Sequence, residues 1–576
     1  MMRILLLTHS FNSLAQRLYL ELAARGHELS VEFDINDATT MEAVSLFAPD
    51  LVLAPYLKRA IPDAVWRATP CLIVHPGPPG DRGPSALDWA ILRGEPQWGV
   101  TVLQATAELD GGPVWASASF PMRPASKSSL YRNEVTEAAV GAVLETLERF
   151  QRGDRPASNP SDGGWRPLVR HADRRIDWAR DNSATVVGKI RSADGHPGVE
   201  DTLFERTFRL FDAWDEPRLT GLPGQVIARR FGAICRATRG GAVWIGQLQP
   251  VLESGASFKR PAVLALGEAA QALPVSEPAA DALGASRGYP DILYEEDGPV
   301  GYLHFEFYNG AMSTAQCERL RQAYTEACRR PTRVIVLMGG RDFWSNGLHL
   351  HCIEAAASPA DESWRNINAM DDLARDILES DRHLTVAALQ GNAGAGGVFL
   401  ALAADTVHAR RGIVLNPHYR NMGNLYGSEY WTYLLPRRVG SERASAVLQH
   451  RLPLDVDSAR ALGLLDAAAG PSRPEFLEHV RSVARELADP AQFQSRLAAK
   501  RARRADDEAR KPLAQYRAEE LGRMRLNFYG FDPSYHVARH RFVHRTPQAW
   551  TPLYLARHRT KWGQVHFSGP ILRQTA

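Results

Sequence analysis

Residues 384–405 read LTVAALQGNAGAGGVFLALAAD, a short apolar run, a turn carrying four glycines, and a second apolar run rich in Leu and Ala. The first run has strand length and β-branched content. The second, following directly on the glycines, reads as a helix buried on most of its surface. A strand feeding a buried helix through such a turn leaves the helix's first backbone N–H groups unpaired. Together with the helix dipole they offer a fixed site for negative charge. The turn is not a dinucleotide fingerprint, because Phe399 falls where the last glycine of GxGxxG belongs.

With 576 residues the chain is too long for one core, and ordinary domain sizes give roughly three to five units. A hydrophobic fraction of 44% with 23% charged residues describes a soluble globular chain, and a net charge of +3 argues against a nucleic-acid partner. Five cysteines, Cys71, Cys235, Cys317, Cys328 and Cys352, form no CxxC pair; they fit a reducing compartment, and the expected location is the cytoplasm. The start, MMRILLLTHSF, has too short an apolar stretch for a signal peptide and reads as a first strand. No apolar run approaches the roughly 20 residues that span a bilayer, so no membrane role is expected.

Residues 2–105 alternate apolar runs (RILLLT, LSVEFD, TPCLIVH, GVTVLQA) with helical patterns such as LAQRLYLELAARGH. This is βαβ organisation and predicts a mostly parallel sheet. After Arg175 a helix precedes closely spaced short strands (FRLFDAW, GQVIARR, AICRATRGG, AVWIGQLQ), which suggests a small β-barrel-like subdomain. Residues 267–288, rich in Ala, Pro, Ser and Gly, read as a linker. Strands ILYEED, VGYLHFEF and RVIVLMGG follow, with the helix STAQCERLRQAYTEACRR between the last two. Residues 474–525 are charged and helical in pattern, ending in a His/Arg-rich tail. In that region AKRARRADDEARK reads as a solvated helix face with paired charges.

The segments VHPGPPGDRG and ELDGGPV resemble folate-dependent formyltransferases, with His75 and Asp110 at the family's His and Asp positions. The family's Asn position holds Ile73. Formyl transfer passes through an oxyanion and expels an amine, so the site needs a hydrogen-bond donor and proton traffic. Loss of the Asn removes one donor and points to a thiol acceptor, which supplies its nucleophilic anion more readily than an amine. KIRSADGHPG looks like the opening of that family's C-terminal subdomain.

In the second half, FWSNGLHL and QGNAGAGGVFL resemble the two oxyanion-hole segments of the crotonase (enoyl-CoA hydratase/isomerase) family, and place the backbone donors at Asn346 and Gly396. Both glutamates with which hydratases add water are absent: Phe399 and His418 stand at their positions. Tyr419 and Glu429 are the candidate acid/base replacements, against core packing for the first and a plain helix N-terminal carboxylate for the second. His349, His351 and Cys352 lack a spaced partner pair, so no metal is expected.

A formyltransferase-like half joined to a crotonase-like half resembles the HypX/HoxX hydrogenase maturation family over essentially the whole chain. The resemblance implies an α/β multidomain protein: a Rossmann-like formyltransferase domain (1–170), a small β-barrel subdomain (171–266), a linker (267–288), an α/β crotonase-fold domain (289–490) and a helical, basic C-terminal extension (491–576). It implies a bifunctional enzyme that moves the formyl group of 10-formyl-tetrahydrofolate to CoA and splits formyl-CoA into CO and CoA. The resemblance further implies that the CO supplies the iron of nickel–iron hydrogenase. The implied partners are these small molecules and other hydrogenase maturation proteins. His75, Asp110, Tyr419, Glu429, Asn346 and Gly396 would carry the chemistry. Gln16, Arg132, Ser192, Asn309, Ala395 and Arg545 are the candidate CoA-binding residues. Two alternatives stay open from the residues themselves, a formyl-CoA hydrolase releasing formate and a non-catalytic scaffold that binds folate and CoA.

Overall fold

The computed structural model describes residues 1–160, 164–277, 288–289 and 291–560. It divides into two compact units, the first built chiefly from Met1–Ser276 and the second chiefly from residues 291–546.

The first unit opens with a six-stranded sheet. Its strands run in the order Glu28–Phe33, Arg3–Thr8, Leu51–Tyr56, Cys71–His75, Gln97–Gln104, Val114–Pro121. The first four are parallel, as βαβ alternation requires, and the last two turn the sheet antiparallel. The Asn12 side chain caps helix Ser13–Ala24 by accepting the Ala15 N–H at 3.0 Å. The subdomain that follows is an antiparallel sheet in the order Val199–Leu203, Arg206–Glu216, Gly241–Pro250, Ala233–Thr238, Val226–Arg230, covered by helix Ser183–Ala193. Val186, Ile190, Phe208, Leu210, Ile234 and Ile245 fill the space between.

Two expectations are corrected here. The linker read over 267–288 begins later: Glu268–Gln271 is a short helix, and residues 274–276 pair with strand Val226–Arg230 through Arg229. Residues 278–287 lie outside the described residues. The tail is not one helical extension either, since residues 547–560 belong to the first unit. There the Leu555 carbonyl accepts the Val31 N–H at 3.0 Å and Thr551 Oγ1 accepts the Phe33 N–H at 2.8 Å. The tail thus covers the outer strand, whose edge would otherwise be open. Glu32 on that strand is fully buried and pairs with His558 at 2.9 Å and Arg559 at 2.7 Å. These partners outweigh its desolvation and hold its carboxyl below the usual range.

The second unit has two sheets. The larger runs Ile292–Asp297, Val300–Phe305, Val334–Gly339, Leu384–Leu389, Thr406–Arg410, Ala467–Ala469; only its first pair is antiparallel. The smaller is parallel: Phe343–Ser345, Asn392–Gly394, Leu415–Asn416. Each of its strands follows directly on a strand of the larger sheet, so three successive connections make the same turn and stack as a second layer. The glycine turn singled out in the sequence lies at the end of the middle one. Helix Gly396–Leu402 is buried along its whole length, as expected for the apolar run after the glycines. Helices Pro359–Leu378 and Leu513–Tyr529 complete the same core. In the basic run Arg504 and Arg510 pair along their own helix with Glu508 and Asp507. Lys500 departs from the solvated-face reading, since it is buried against Asp405 at 2.7 Å.

Candidate active sites

In the second unit the glycine turn is held in an uncommon backbone shape. Ala395, the residue before the helix, has φ 47° and ψ −128°, a region that side chains other than glycine rarely enter. Its N–H is fixed by the Asn416 carbonyl at 2.9 Å. Trp344, fully buried, donates its indole N–H to the Gly397 carbonyl at 2.9 Å and so ties the turn to the neighbouring strand.

Gly396 and Leu348 have backbone N–H groups with no acceptor among the described residues. This corrects the sequence reading at one position. The Asn346 N–H is donated to the Gly310 carbonyl at 2.7 Å and is not available. The free donor of that loop lies two residues on, at Leu348, which faces Met312 in a bridge whose hydrogen bonds run through Gly347 and His349. The two loops are adjacent, for a Cβ on Gly347 would lie 3.3 Å from the Gly396 nitrogen.

Glu429 faces the same turn. A Cβ on Gly396 would come within 2.1 Å of Glu429 Oε1, so only glycine permits the approach. Glu429 Oε2 lies 2.6 Å from the Tyr419 hydroxyl, which also lies 3.1 Å from the Ser428 carbonyl. Burial first, and the Asp371 charge second, raise the Glu429 carboxyl to about 8. The Tyr419 phenol is raised too, by burial and by Glu429, and keeps its proton. Phe399, where a hydratase glutamate would stand, is fully buried and stacks on Tyr419 with centroids 5.2 Å apart. His418, at the other glutamate position, is buried and pushed down to about 4, hence neutral near pH 7.

In the first unit His75 ends a strand between two carboxylates. Its Nε2 is 2.9 Å from Asp81 Oδ2 and its Nδ1 is 3.6 Å from Asp110 Oδ1. Asp81 also pairs with Arg166 Nε at 2.8 Å, and the Arg166 guanidinium lies over the Trp98 ring. Asp110, at φ 52°, accepts the Gly83 N–H at 3.0 Å. A Cβ on Gly77 would meet Asp81 at 2.3 Å and His75 at 2.5 Å, so the loop can pass only as glycine. The sequence named His75 and Asp110, which lie side by side here, but not Asp81 and Arg166, which join them. The Asp in HPGPPGDRG was the signal for Asp81; nothing local marks Arg166.

The proposed CoA residues divide between the units: Gln16, Arg132 and Ser192 in the first, Asn309, Ala395 and Arg545 in the second. Gln16 Nε2 donates to the Phe11 carbonyl at 2.8 Å. Arg132 sits in the short wide turn Tyr131–Val135. Asn309 and Arg545 both have left-handed backbone, and the Asn309 carbonyl accepts from Asn346 Nδ2 at 2.8 Å. Ser192 is corrected: it is fully buried and its hydroxyl donates to the Lys189 carbonyl at 2.7 Å, so it offers no donor to a ligand.

In the HLHC segment His349 Nδ1 accepts the Cys352 N–H at 3.2 Å and caps the following helix. A different group, Glu354, His540 and His544, brings ligand-type atoms within 4.8 Å of one another. Its carboxylate is already shared among Arg539, His540 and His544, which makes it an ion-pair network. No described helix is long and apolar enough to cross a membrane.

The comparisons with known proteins follow the same division. The formyl transferase family matches residues 27–147, its C-terminal domain residues 168–258, and the enoyl-CoA hydratase/isomerase family residues 306–551. The hydrogenase maturation factor HoxX of Bradyrhizobium diazoefficiens is 56% identical over 97% of this chain and 98% of its own. The chain belongs to the HypX/HoxX family of hydrogenase maturation factors. The crystal structure of HypX from Aquifex aeolicus in complex with tetrahydrofolic acid superposes with a TM-score of 0.94 at 49% identity, covering 97% of this chain and 99% of that one. A methionyl-tRNA formyltransferase of Chloroflexus aurantiacus is 28% identical over 36% of this chain and 70% of its own. The fold class expected from the sequence, a formyltransferase half followed by a crotonase half, is the one observed.

Proposed function

We propose that the protein makes carbon monoxide for hydrogenase maturation in two steps, formyl transfer from 10-formyl-tetrahydrofolate to CoA and decarbonylation of formyl-CoA. The tetrahydrofolic acid bound to the Aquifex relative supports the donor. In the first step the CoA sulfur forms a bond to the formyl carbon, the C–N bond to the folate breaks, and the thiol proton ends on the departing amine. His75 has a carboxylate oxygen beside each ring nitrogen, so a proton accepted at one can be matched by a proton given up at the other.

In the second step the backbone N–H groups of Leu348 and Gly396 polarise the thioester carbonyl. Glu429 takes the formyl proton, the C–H electron pair stays on carbon as the lone pair of CO, and the C–S pair leaves with sulfur. The proton then passes to the thiolate, so no proton is gained or lost overall. The observation that carries this reading is the Tyr419–Glu429 pair. When Glu429 is ionised, Tyr419 donates to it; when Glu429 is protonated, it can donate to Tyr419, which turns to the Ser428 carbonyl. Both protonation states are satisfied without water. Phe399 and His418 leave no second carboxylate at the hydratase positions to activate a water.

The test is capture of CO by reduced haemoglobin during turnover with 10-formyl-tetrahydrofolate and CoA. CO in step with tetrahydrofolate formation is expected. Stoichiometric formate in its place would make the protein a formyl-CoA hydrolase, and neither product would leave a binding scaffold. A further expected result is that Gly396→Ala, whose methyl collides with Glu429, slows CO release about 10²-fold, the scale of losing one backbone donor. Tetrahydrofolate release in the presence of CoA should continue.

A further inference from the structure

Three carboxyls, Asp371, Glu429 and Glu520, are 0–1% exposed in the second unit and meet around one five-residue segment. Glu429 donates its N–H to Asp371 Oδ1 at 2.8 Å. Tyr430 donates its N–H to Glu520 Oε2 at 3.0 Å, and Thr432 donates its N–H to Glu520 Oε1 at 2.8 Å and its hydroxyl at 2.5 Å. The segment needs such anchors, because Glu429 at φ 58° and Tyr430 at φ 59° are successive left-handed residues, neither of them glycine.

Between the two anchors lies Ser428, whose Oγ is 2.9 Å from Asp371 Oδ2 and 3.1 Å from Glu520 Oε2. A hydroxyl has one proton to give. Both contacts are hydrogen bonds only if one of the two carboxyls carries a proton and donates it to Ser428. Charge balance points the same way. Among the described residues the nearest cation is Arg517, 3.8 Å from Asp371 and itself committed to Asp372 at 2.6 Å. The other titratable neighbours among them are Asp372, a carboxylate that adds to the negative charge at Asp371, and Tyr419, Tyr430, Tyr426 and Cys317, all raised above their usual values and neutral. Three buried negative charges facing one cation would be costly, and protonation relieves them.

We propose that Asp371 and Glu520 are positioning residues that aim the Glu429 carboxyl at the Gly396 turn, and that the three carboxyls hold their protons as one buried unit that sets the acid limb of the reaction's pH profile. The rate readout rests on the decarbonylation reading, whereas the proton holding does not. Burial and the neighbouring Asp371 charge raise Glu429 and Glu520 each to about 8 and burial raises Asp371 to about 6. The sign for stability follows. Between the ordinary value of 4.5 and about 8 the folded protein holds protons that the unfolded chain has lost. Stability from these groups is full below the ordinary value and falls as pH rises through about 8.

The experiment is an infrared titration of the protonated carboxyl stretch in the full chain from about pH 5 to about pH 10, with thermal melts over the same range. In the wild type a protonated carboxyl band should persist past neutrality and fall with a midpoint near pH 8, and be diminished in Glu429→Gln. Asp371→Asn keeps an acceptor for the Glu429 N–H but removes the charge. It should move the residual titration and the acid limb of CO release to lower pH by about one unit, tenfold in proton activity. Glu520→Gln should move them the same way, and Asp371→Ala, which also loses the acceptor, should lower the limiting rate as well.

A wild-type band that titrates in the ordinary carboxyl range would overturn the proposal without any variant having to fold. So would titrations that neither Asp371→Asn nor Glu520→Gln displaces. Shifted titrations in a protein that makes no CO would uphold the buried proton unit and sink the decarbonylation reading alone.

Discussion

Glu429→Gln is expected to stop CO release while formyl transfer continues, so that formyl-CoA accumulates and can be followed by chromatography of quenched turnover. The expected loss in CO rate is about 10²–10⁴-fold, the usual contribution of a positioned general base. The amide fills the same space and can still hydrogen-bond Tyr419, but it cannot take a proton. The structure gives the substitution a low structural cost, because the Glu429 N–H bond to Asp371 comes from the backbone and is retained. The pH dependence carries a sign of its own. With its carboxyl raised to about 8, Glu429 rests protonated near neutrality and is a base only in its ionised fraction. CO release by the wild type should therefore rise with pH and level off above about 8. Equal CO from Glu429→Gln and wild type would remove Glu429 from the chemistry.

Which parts of this were legible in the sequence depends on how far apart the interacting residues stand along the chain. The strand, glycine turn and helix at 384–405 were legible because every requirement is local: apolar period, glycine spacing, and the helix following at once. The formyltransferase half was legible for the same reason, with His75 and Asp110 in short motifs. Glu429 was reachable only as a candidate, and the carboxyls that share its buried surroundings, Asp371 and Glu520, come from helices 58 and 90–92 residues away. Arg166 pairs with Asp81 across a similar gap. Neither contact leaves a periodic trace.

The slip from Leu348 to Asn346 had another cause. FWSNGLHL contains several N–H groups, and which of them is free depends on the Gly310 carbonyl, which takes the Asn346 N–H, and on Ser345 Oγ, which takes that of Gly347 at 3.1 Å. Composition misled at the tail for a similar reason. Residues 547–560 read as part of a helical, basic extension, yet His558 and Arg559 are the partners of the buried Glu32.

His75→Ala should abolish formyl transfer and with it CO, while added formyl-CoA is still decarbonylated. The loss of tetrahydrofolate formation should reach about 10²–10⁴-fold, since the imidazole can accept a proton at one ring nitrogen while giving one up at the other. It would also leave the buried Asp81 and the half-buried Asp110 without the ring that separates them, and Asp81 would keep only Arg166. A fall in melting temperature is thus expected alongside the loss of activity. Asp81→Asn separates the two effects. It keeps the shape and a hydrogen-bond acceptor for His75 Nε2 but removes one flanking charge, so formyl transfer should fall less steeply than in His75→Ala, with its pH profile displaced. If His75→Ala kept full transfer with a lowered melting temperature, His75 would be a packing residue. Formyl transfer would then need another proton carrier, and among the charged side chains placed around His75 only Asp110, held on the Gly83 N–H, is not already paired with Arg166.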